Sequence, residues 1–200
     1  QRAVEVVING TDETEINDNV KSYALQGVYG GGNQAHYDYD NADYPTVTIN
    51  GCETSIKDVY GGGNAAAVPS THVTINGGDI DRVFGGGNGE SGTPAHIGYK
   101  NKTDNSTTSP YNANGNVALD INGGTINQIF GGSNAHGSIK GSIAMDITKS
   151  GSCERHICEV YGGGNEAAGN AGSITIGCTG GENEGIGDLY GGANQADVNN

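Results

Sequence analysis

The chain has 200 residues, of which 37 are glycine and only 34% are hydrophobic, and its formal net charge at pH 7 is −14. Because 9 basic residues stand against 23 acidic ones, the chain lacks the cationic surface that a phosphate backbone requires, which excludes nucleic-acid binding. No apolar stretch approaches the roughly 20 residues that span a bilayer, so no membrane span is predicted.

Pairs of apolar residues two positions apart recur along the chain and predict short strands, because alternate side chains of a strand share one face. These pairs are Val6/Ile8, Val47/Ile49, Val73/Ile75, Leu119/Ile121, Met145/Ile147 and Ile174/Ile176. Each pair precedes a motif of the form Ile-x-x-[Val/Ile/Leu]-[Tyr/Phe]-Gly-Gly-[Gly/Ser/Ala]-Asn, in which Leu25 replaces the first Ile once. The motif occurs at residues 25–33, 56–64, 80–88, 126–134, 157–165 and 186–194.

The spacing of the motif selects the architecture. Successive Gly-Gly pairs lie between 24 and 46 residues apart. The shortest interval cannot hold the four strands of a propeller blade, whereas one coil of a β-solenoid fits. We therefore predict an all-β chain, a single-stranded parallel β-helix (solenoid) of about six coils that forms one domain over residues 1–200.

Stacked coils would align equivalent residues into columns. The motif isoleucines from Ile56 to Ile186 are expected inside, with the column from Val28 to Leu189 beside them. The Gly-Gly-Gly segment is expected to take positive φ angles and to pass close to the neighbouring coil. We predict two structural ladders, an aromatic one of Tyr29, Tyr60, Phe84, Phe130, Tyr161 and Tyr190, and an asparagine one of Asn33, Asn64, Asn88, Asn134, Asn165 and Asn194.

Two stretches interrupt the repeat. Residues 89–116, rich in Gly, Ser, Thr, Asn and Pro, are predicted to form an inserted loop. A smaller one, residues 34–45, carries carboxylates that suit a hard cation and tyrosines that suit a sugar ring. Its candidate ligand-binding residues are Tyr37, Asp38, Tyr39, Asp40, Asp43 and Tyr44.

No motif predicts catalysis, a cofactor or a metal centre. The histidines show no zinc-ligand spacing, and no Gly-x-Ser-x-Gly elbow occurs. The carboxylates near the strands include no marked pair of the kind that a glycosidase uses.

Four cysteines suggest an oxidising compartment. Cys52 lies in the second coil and the others in the fifth and sixth, so coil spacing predicts that Cys52 stays unpaired. The expected disulfide joins Cys153 with Cys158 or with Cys178.

The Val-Tyr-Gly-Gly-Gly-Asn turns and Val-Thr-Ile-Asn-Gly-Gly strands resemble the repeat regions of large secreted β-helical surface proteins of gut bacteria, often called adhesins. The resemblance covers residues 4–196 and implies a right-handed helix on an exported, cell-surface protein, but it transfers no functional residue. It favours a noncatalytic module that presents loops to glycans or to host or microbial surface proteins. The alternatives are a β-helical polysaccharide lyase or hydrolase, and a structural spacer in a longer array.

Overall fold

The computed structural model describes residues 3–37, 43–98, 115–148, 150–168, 171–180 and 185–196. Within these ranges the regular structure consists of strands alone. They are β1 (Glu5–Ile8), β2 (Glu15–Asn17), β3 (Val20–Ser22), β4 (Leu25–Tyr29), β5 (Thr46–Ile49), β6 (Ser55–Tyr60), β7 (Thr71–Ile75), β8 (Asp79–Phe84), β9 (Val117–Ile121), β10 (Gly124–Phe130), β11 (Ile143–Thr148), β12 (Arg155–Tyr161), β13 (Ile174–Thr179) and β14 (Ile186–Tyr190).

Two parallel sheets of six strands organise the molecule. The first sheet has the order β1-β5-β7-β9-β11-β13, and the second has the order β4-β6-β8-β10-β12-β14. Apart from the antiparallel β2–β3 hairpin, successive strands alternate between the two sheets. Each repeat therefore contributes one strand to each sheet, and we number these repeat units 1 (β1 and β4) to 6 (β13 and β14).

The strand register places equivalent residues of neighbouring units side by side. In the first sheet Val47 pairs with Val73, and in the second Ile56 pairs with Ile80, which pairs with Ile126. In units 2 to 5 the side chains of these inward columns are at most 3% exposed, and both sheets contribute to one apolar core. Burial of each such side chain stabilises the fold by about 1.5–3 kcal/mol. The predicted inward columns are confirmed in units 2 to 5, whereas Leu189 in unit 6 is 49% exposed.

A third row of buried residues lies outside the two sheets. Val68, Ile97 and Ile139 form consecutive parallel bridges and are fully buried. Ile97 belongs to the stretch 89–116 that we expected to be an inserted loop. Up to Gly98 this stretch contains no named strand, but it packs Ile97 into the core; residues 99–114 lie outside the described residues. The sequence hid this row because each unit contributes only one inward apolar residue to it, too few for an alternating pattern.

The motif glycines allow the units to approach closely. A Cβ atom on Gly61 would lie 2.4 Å from the carbonyl oxygen of Gly85 in the next unit, and one on Gly85 would lie 2.5 Å from that of Gly131. Such contacts exclude any side chain. Positive φ angles occur instead at other glycines, such as Gly78. None of the described Gly-Gly-Gly-Asn residues has one, so the prediction of positive φ in the motif is wrong.

Unit 1 contains a hairpin that the sequence analysis missed. Strands β2 and β3 pair antiparallel around Asp18 and Asn19, whose φ angles are 50° and 64°. Two central residues with positive φ are typical of a tight hairpin turn, and Asp and Asn tolerate that region well. The Asp-Asn pair between Ile16 and Val20 was a signal that could have revealed the hairpin.

The disulfide corrects a further expectation: Cys52, which was expected to stay unpaired, is bonded to Cys153. The β5–β6 connection that carries Cys52 and the β11–β12 connection that carries Cys153 are longer than the glycine connections of units 3 and 4 between them. A Cβ atom on Gly77 would lie 2.5 Å from Cys153 Sγ, so Cys153 crosses directly over this glycine. The two longer connections meet where the Cα atoms of Cys52 and Cys153 lie 5.3 Å apart.

Cys158 and Cys178 are both free and exposed, so the expected bond from Cys153 to either of them is wrong. The expectation assumed that Cys52 and the other cysteines lie three strand spacings apart. That distance applies to residues inside strands, whereas residues in longer connections can extend along the stack towards another unit. No described residue belongs to a helix long and apolar enough to cross a bilayer.

Candidate functional site

The aromatic residues of the motif form a continuous ladder. Neighbouring ring centroids lie 4.7–5.0 Å apart from Tyr29 through to Tyr190, with interplanar angles of 7–12°. Phe84 and Phe130 are fully buried in a cluster separate from the main core. Stacked rings of this kind stabilise each other, and buried rings present no face to a ligand. The geometry is that of the structural ladder predicted from the sequence.

The motif asparagines form the second predicted ladder. Each Nδ2 donates a hydrogen bond of 2.7–3.0 Å to Oδ1 of the asparagine in the preceding unit, from Asn64–Asn33 to Asn194–Asn165. A shorter ladder, which the sequence analysis missed, joins the asparagines that follow the first-sheet strands. Its members are Asn9, Asn50, Asn76 and Asn122. These amides bond to each other, so they are occupied within the stack.

Charged side chains next to the aromatic ladder are also paired. Arg82 donates two hydrogen bonds to the Asp58 carboxylate, 2.7 and 2.8 Å long. Its guanidinium lies 5.5 Å from the centre of the Phe84 ring. The bonds to Asp58 raise the pKa of Arg82 and fix its side chain. Glu159 accepts a hydrogen bond of 2.7 Å from Gln128 on the neighbouring strand. Equivalent positions of successive units thus form a column of paired polar side chains beside the rings, made up of Asp58, Arg82, Gln128 and Glu159. This column supports the aromatic ladder.

The segment of residues 34–45 does not present its tyrosines as expected. Tyr37 is buried in the main core at 9% exposure, and its hydroxyl oxygen accepts a hydrogen bond from the Val4 amide at 2.9 Å. Tyr44 is half-buried and Asp43 is exposed. Asp38, Tyr39 and Asp40 lie outside the described residues. The interpretation of Tyr37 as a ligand-binding residue is wrong, because its amide bonds to Ala67 and aligns it with the third buried row.

A cleft of about 300 Å³ lies between the β2–β3 hairpin and the outer face of the second sheet. The hairpin is held there by a hydrogen bond of 2.7 Å between the hydroxyls of Thr14 and Ser55, and by the ion pair of Lys21 with Asp79 at 3.2 Å. The cleft is lined by Lys21, Tyr23, Asp79, Ile80, Asp81, Thr125, Ile126, Asn127 and Cys158. An insertion and three repeat units thus converge on one concave surface.

The chemistry of this hairpin cleft is mixed. Tyr23 supplies a half-buried aromatic ring, and burial and the Asp81 charge raise the pKa of its hydroxyl, so the hydroxyl stays protonated. Asp81 accepts a hydrogen bond at 3.1 Å from Asn127 of the neighbouring strand β10. A ring beside amide, carboxylate and ammonium groups is suited to a polyhydroxylated ligand, whose ring carbons pack on the aromatic face. No motif in the sequence marked these residues.

A second cleft, of about 330 Å³, lies beside the disulfide. Glu53, Glu154 and His156 line it, and His156 Nε2 lies 3.5 Å from Glu154 Oε2. The side chain of Glu154 is 85% exposed and that of His156 is 51% exposed, so water solvates both. Because surface pairs of this kind gain little from each other, this cleft gives no reason to expect acid–base chemistry.

One further histidine contact lies on the outer face of the first sheet. His72 Nε2 is 2.7 Å from Asp120 Oδ2, and the two side chains are 35% and 43% exposed. The pair spans neighbouring strands on an open sheet face, where it joins β7 to β9. Among the described residues, no three His, Cys, Asp or Glu side chains are arranged to hold a metal ion.

Comparison of this chain with models of protein families, with curated proteins and with solved structures gave no match. The geometry of the chain itself is therefore the basis for interpreting its function.

Proposed function

We propose that this chain is a noncatalytic glycan-binding module of an exported or cell-surface protein. In this proposal the two sheets and the third buried row are the walls of a closed, right-handed parallel β-helix of six coils. The alternation of strands between two parallel sheets supports this path, since connections between parallel strands are almost always right-handed.

The hairpin cleft is the observation that carries the binding function. Elsewhere the polar and aromatic side chains of the motif bond to or stack on their own equivalents, as in the asparagine and aromatic ladders. The cleft instead gathers different residues from an insertion and from three units around an accessible ring, Tyr23. Binding sites are commonly concave surfaces where a few polar groups converge beside an aromatic side chain.

The disulfide supports an extracellular location. Structural disulfides persist in oxidising environments and are rare in the cytosol. Cys52 and Cys153 are separated by 101 residues in the sequence, so their bond constrains a large part of the chain. Its stabilising effect requires the bond to stay oxidised.

A glycan array tests the proposal. We expect the wild-type chain to bind a defined set of glycans, and we expect Tyr23→Ala to lose this binding because the sugar then lacks its stacking surface. Tyr44→Ala is the matched control, since it removes another half-buried tyrosine at a distance from the cleft. Thermal unfolding of each variant verifies that the fold is retained.

Three results would contradict the proposal in different ways. Binding that Tyr44→Ala abolishes and Tyr23→Ala preserves would move the site to the segment of residues 34–45. Binding that requires added calcium and ignores Tyr23 would indicate a cation site. An array without any binding would reject the glycan function and favour a protein-binding module or a spacer.

A further inference from the structure

The ammonium group of Lys21 lies in a part of the hairpin cleft that suits a cation. Its Nζ donates to both carboxylate oxygens of Asp79, at 3.2 and 3.4 Å, and lies 5.8 Å from the centre of the Tyr23 ring. A carboxylate next to an aromatic face is an arrangement that recognises ammonium groups. The chain's own lysine therefore occupies a place with the chemistry of a cation site.

The lysine is held only weakly in this place. The side chains of Lys21 and Asp79 are 47% and 31% exposed, and ion pairs that water reaches gain little from each other. The hairpin has other anchors, because the hydroxyls of Thr14 and Ser55 bond to each other and the Ser55 amide donates to Thr11 Oγ1 at 2.7 Å. An ammonium group of a ligand can therefore replace that of Lys21 while the hairpin keeps its position.

The cleft carries one carboxylate more than Lys21 neutralises. Among the described residues that line it, Lys21 is the one basic side chain, and Asp79 and Asp81 are the acidic ones. Asp81 accepts from the Asn127 amide and forms no ion pair with any residue that the structure describes. Burial raises the pKa of Tyr23, and the charges of Asp81 and Asp79 raise it further although Lys21 opposes them. The potential at the ring is therefore negative, which attracts cationic ligands and repels anionic ones.

We propose that the hairpin cleft binds glycans that carry a free amino group, with a sugar ring on Tyr23 and the ammonium group on the carboxylates of Asp79 and Asp81. These carboxylates lie two residues apart on β8 and so share one face of the strand. The exposed side chains of Thr125 and Asn127 supply hydrogen bonds to the sugar hydroxyls. This inference rests on the glycan binding proposed above, and it adds the chemical class of the glycan and the displacement of the lysine.

The charge of the ligand determines the specificity. N-acetylation of an amino sugar removes the ammonium charge, so we expect N-acetylated glycans to bind at least about tenfold more weakly than aminated ones. Uronic acids, sialic acids and sulfated sugars would place an anion next to Asp81, and the net charge of −14 repels them as well. Because water reaches the cleft, added salt should weaken the binding of aminated glycans.

An array of matched glycan pairs tests the proposal. Each pair contains an oligosaccharide of glucosamine or galactosamine, in α or β linkage, and its N-acetylated equivalent. We expect the wild-type protein to prefer the aminated member of at least one pair. Asp81→Asn should remove this preference, because the amide keeps the size of the carboxylate without its charge. Asp43→Asn is the matched control, since Asp43 is an exposed aspartate that does not line the cleft.

Lys21 provides a second test, in which affinity should rise. Lys21→Gln removes the competing ammonium group, and we expect aminated glycans to bind about two- to fivefold more tightly. Lys21→Arg keeps a cation and should give no such gain. Lys140→Gln makes the same change of net charge at an exposed lysine that does not line the cleft. A Lys21→Gln protein, verified as folded by thermal unfolding, that binds them no more tightly than the wild-type protein would overturn the proposal.

The results on the array separate this inference from the proposed function. Glycans that bind through Tyr23 without any preference for the aminated member of a pair would overturn the inference and leave the glycan-binding function intact. An array without any binding would reject both. A lysine-rich peptide that binds where no aminated glycan does would assign the cation site to a protein partner, and would likewise overturn the inference.

Discussion

Asparagine at the end of each motif acts as both donor and acceptor, because its amide carries both groups in one plane. Asn88 donates to Asn64 at 2.8 Å and accepts from Asn134 at 2.7 Å. Neither aspartate nor serine could maintain this bonding through a whole column, since aspartate lacks a donor and serine is too short. The ladder therefore depends on the identity of one residue type.

Replacement of Asn88 by alanine should break two rungs of the ladder at once. The half-buried partners Asn64 and Asn134 would lose a bond each, and we expect a loss of about 1–3 kcal/mol in the free energy of unfolding. Urea denaturation provides the measurement. Asn127→Ala removes an exposed amide of the same size and should change stability by at most about 0.5 kcal/mol. Equal losses from both would show that the ladder contributes nothing.

His36 makes stability depend on pH. Its Nδ1 accepts a hydrogen bond from the Ala67 amide at 2.8 Å, and burial lowers its pKa below the ordinary value of 6.5. The unfolded chain therefore takes up a proton at a higher pH than the folded chain does. The stabilisation is complete above about pH 6.5 and is lost as the pH falls below that value towards the folded-state pKa.

The matched variant is His36→Asn, whose side-chain oxygen accepts from Ala67 without titrating. We expect the urea midpoint of the wild-type protein to fall more than that of His36→Asn when the pH is lowered through the histidine range. Parallel declines in the two proteins would assign the pH dependence to other groups.

At the scale of elements, the third buried row shows how a single residue can replace a strand. Val68, Ile97 and Ile139 each make isolated parallel bridges, with Ile97 N donating to Ser138 O at 2.9 Å. Short contributions of this kind still exclude water, because each unit covers the one before it. The segment that ends at Gly98 is therefore part of the core and not a dispensable loop.

Ile97→Ala tests this assignment. Ile97 is fully buried, so its truncation should lower the free energy of unfolding by about 2–5 kcal/mol through lost burial and a residual cavity. Ile16→Ala makes the same chemical change on the hairpin, where the side chain is 66% exposed, and should have little effect. A small effect at Ile97 would show that residues 89–98 contribute little to the core.

At the scale of the whole molecule, the disulfide joins unit 2 to unit 5 over the glycine connections of units 3 and 4. In a stack, each unit otherwise contacts only its neighbours, so stability is approximately a sum of local terms. A bond that spans three unit intervals couples these local terms. Units 2 to 5 are therefore expected to unfold together.

The double variant Cys52→Ser, Cys153→Ser should lower the free energy of unfolding by about 2–5 kcal/mol, because the reduced chain regains conformational freedom. The double variant Cys158→Ser, Cys178→Ser alters the free thiols and is expected to be nearly neutral. Thiol titration of the denatured, unreduced wild-type protein should detect two thiols per chain, those of Cys158 and Cys178. Four thiols would contradict the bond.

The sequence by itself determined the repeat units, their inward columns and both motif ladders. Alternating apolar residues assign a strand face, and six copies of one motif make like residues neighbours in a parallel stack. These features are local or strictly periodic, so they can be deduced without coordinates. Even here the φ angles of the motif glycines were predicted wrongly. These positions require glycine because neighbouring units pack closely against them, and not because the backbone turns there.

The tertiary structure alone decided the partner of Cys52, the burial of Tyr37 and Ile97, and the hairpin cleft around Tyr23. Each depends on where an irregular connection runs in space. The lengths of the connections next to it decide that path: the disulfide forms because two long connections meet over short ones. A periodic sequence determines the scaffold, whereas the non-periodic insertions acquire their positions only when the stack is assembled.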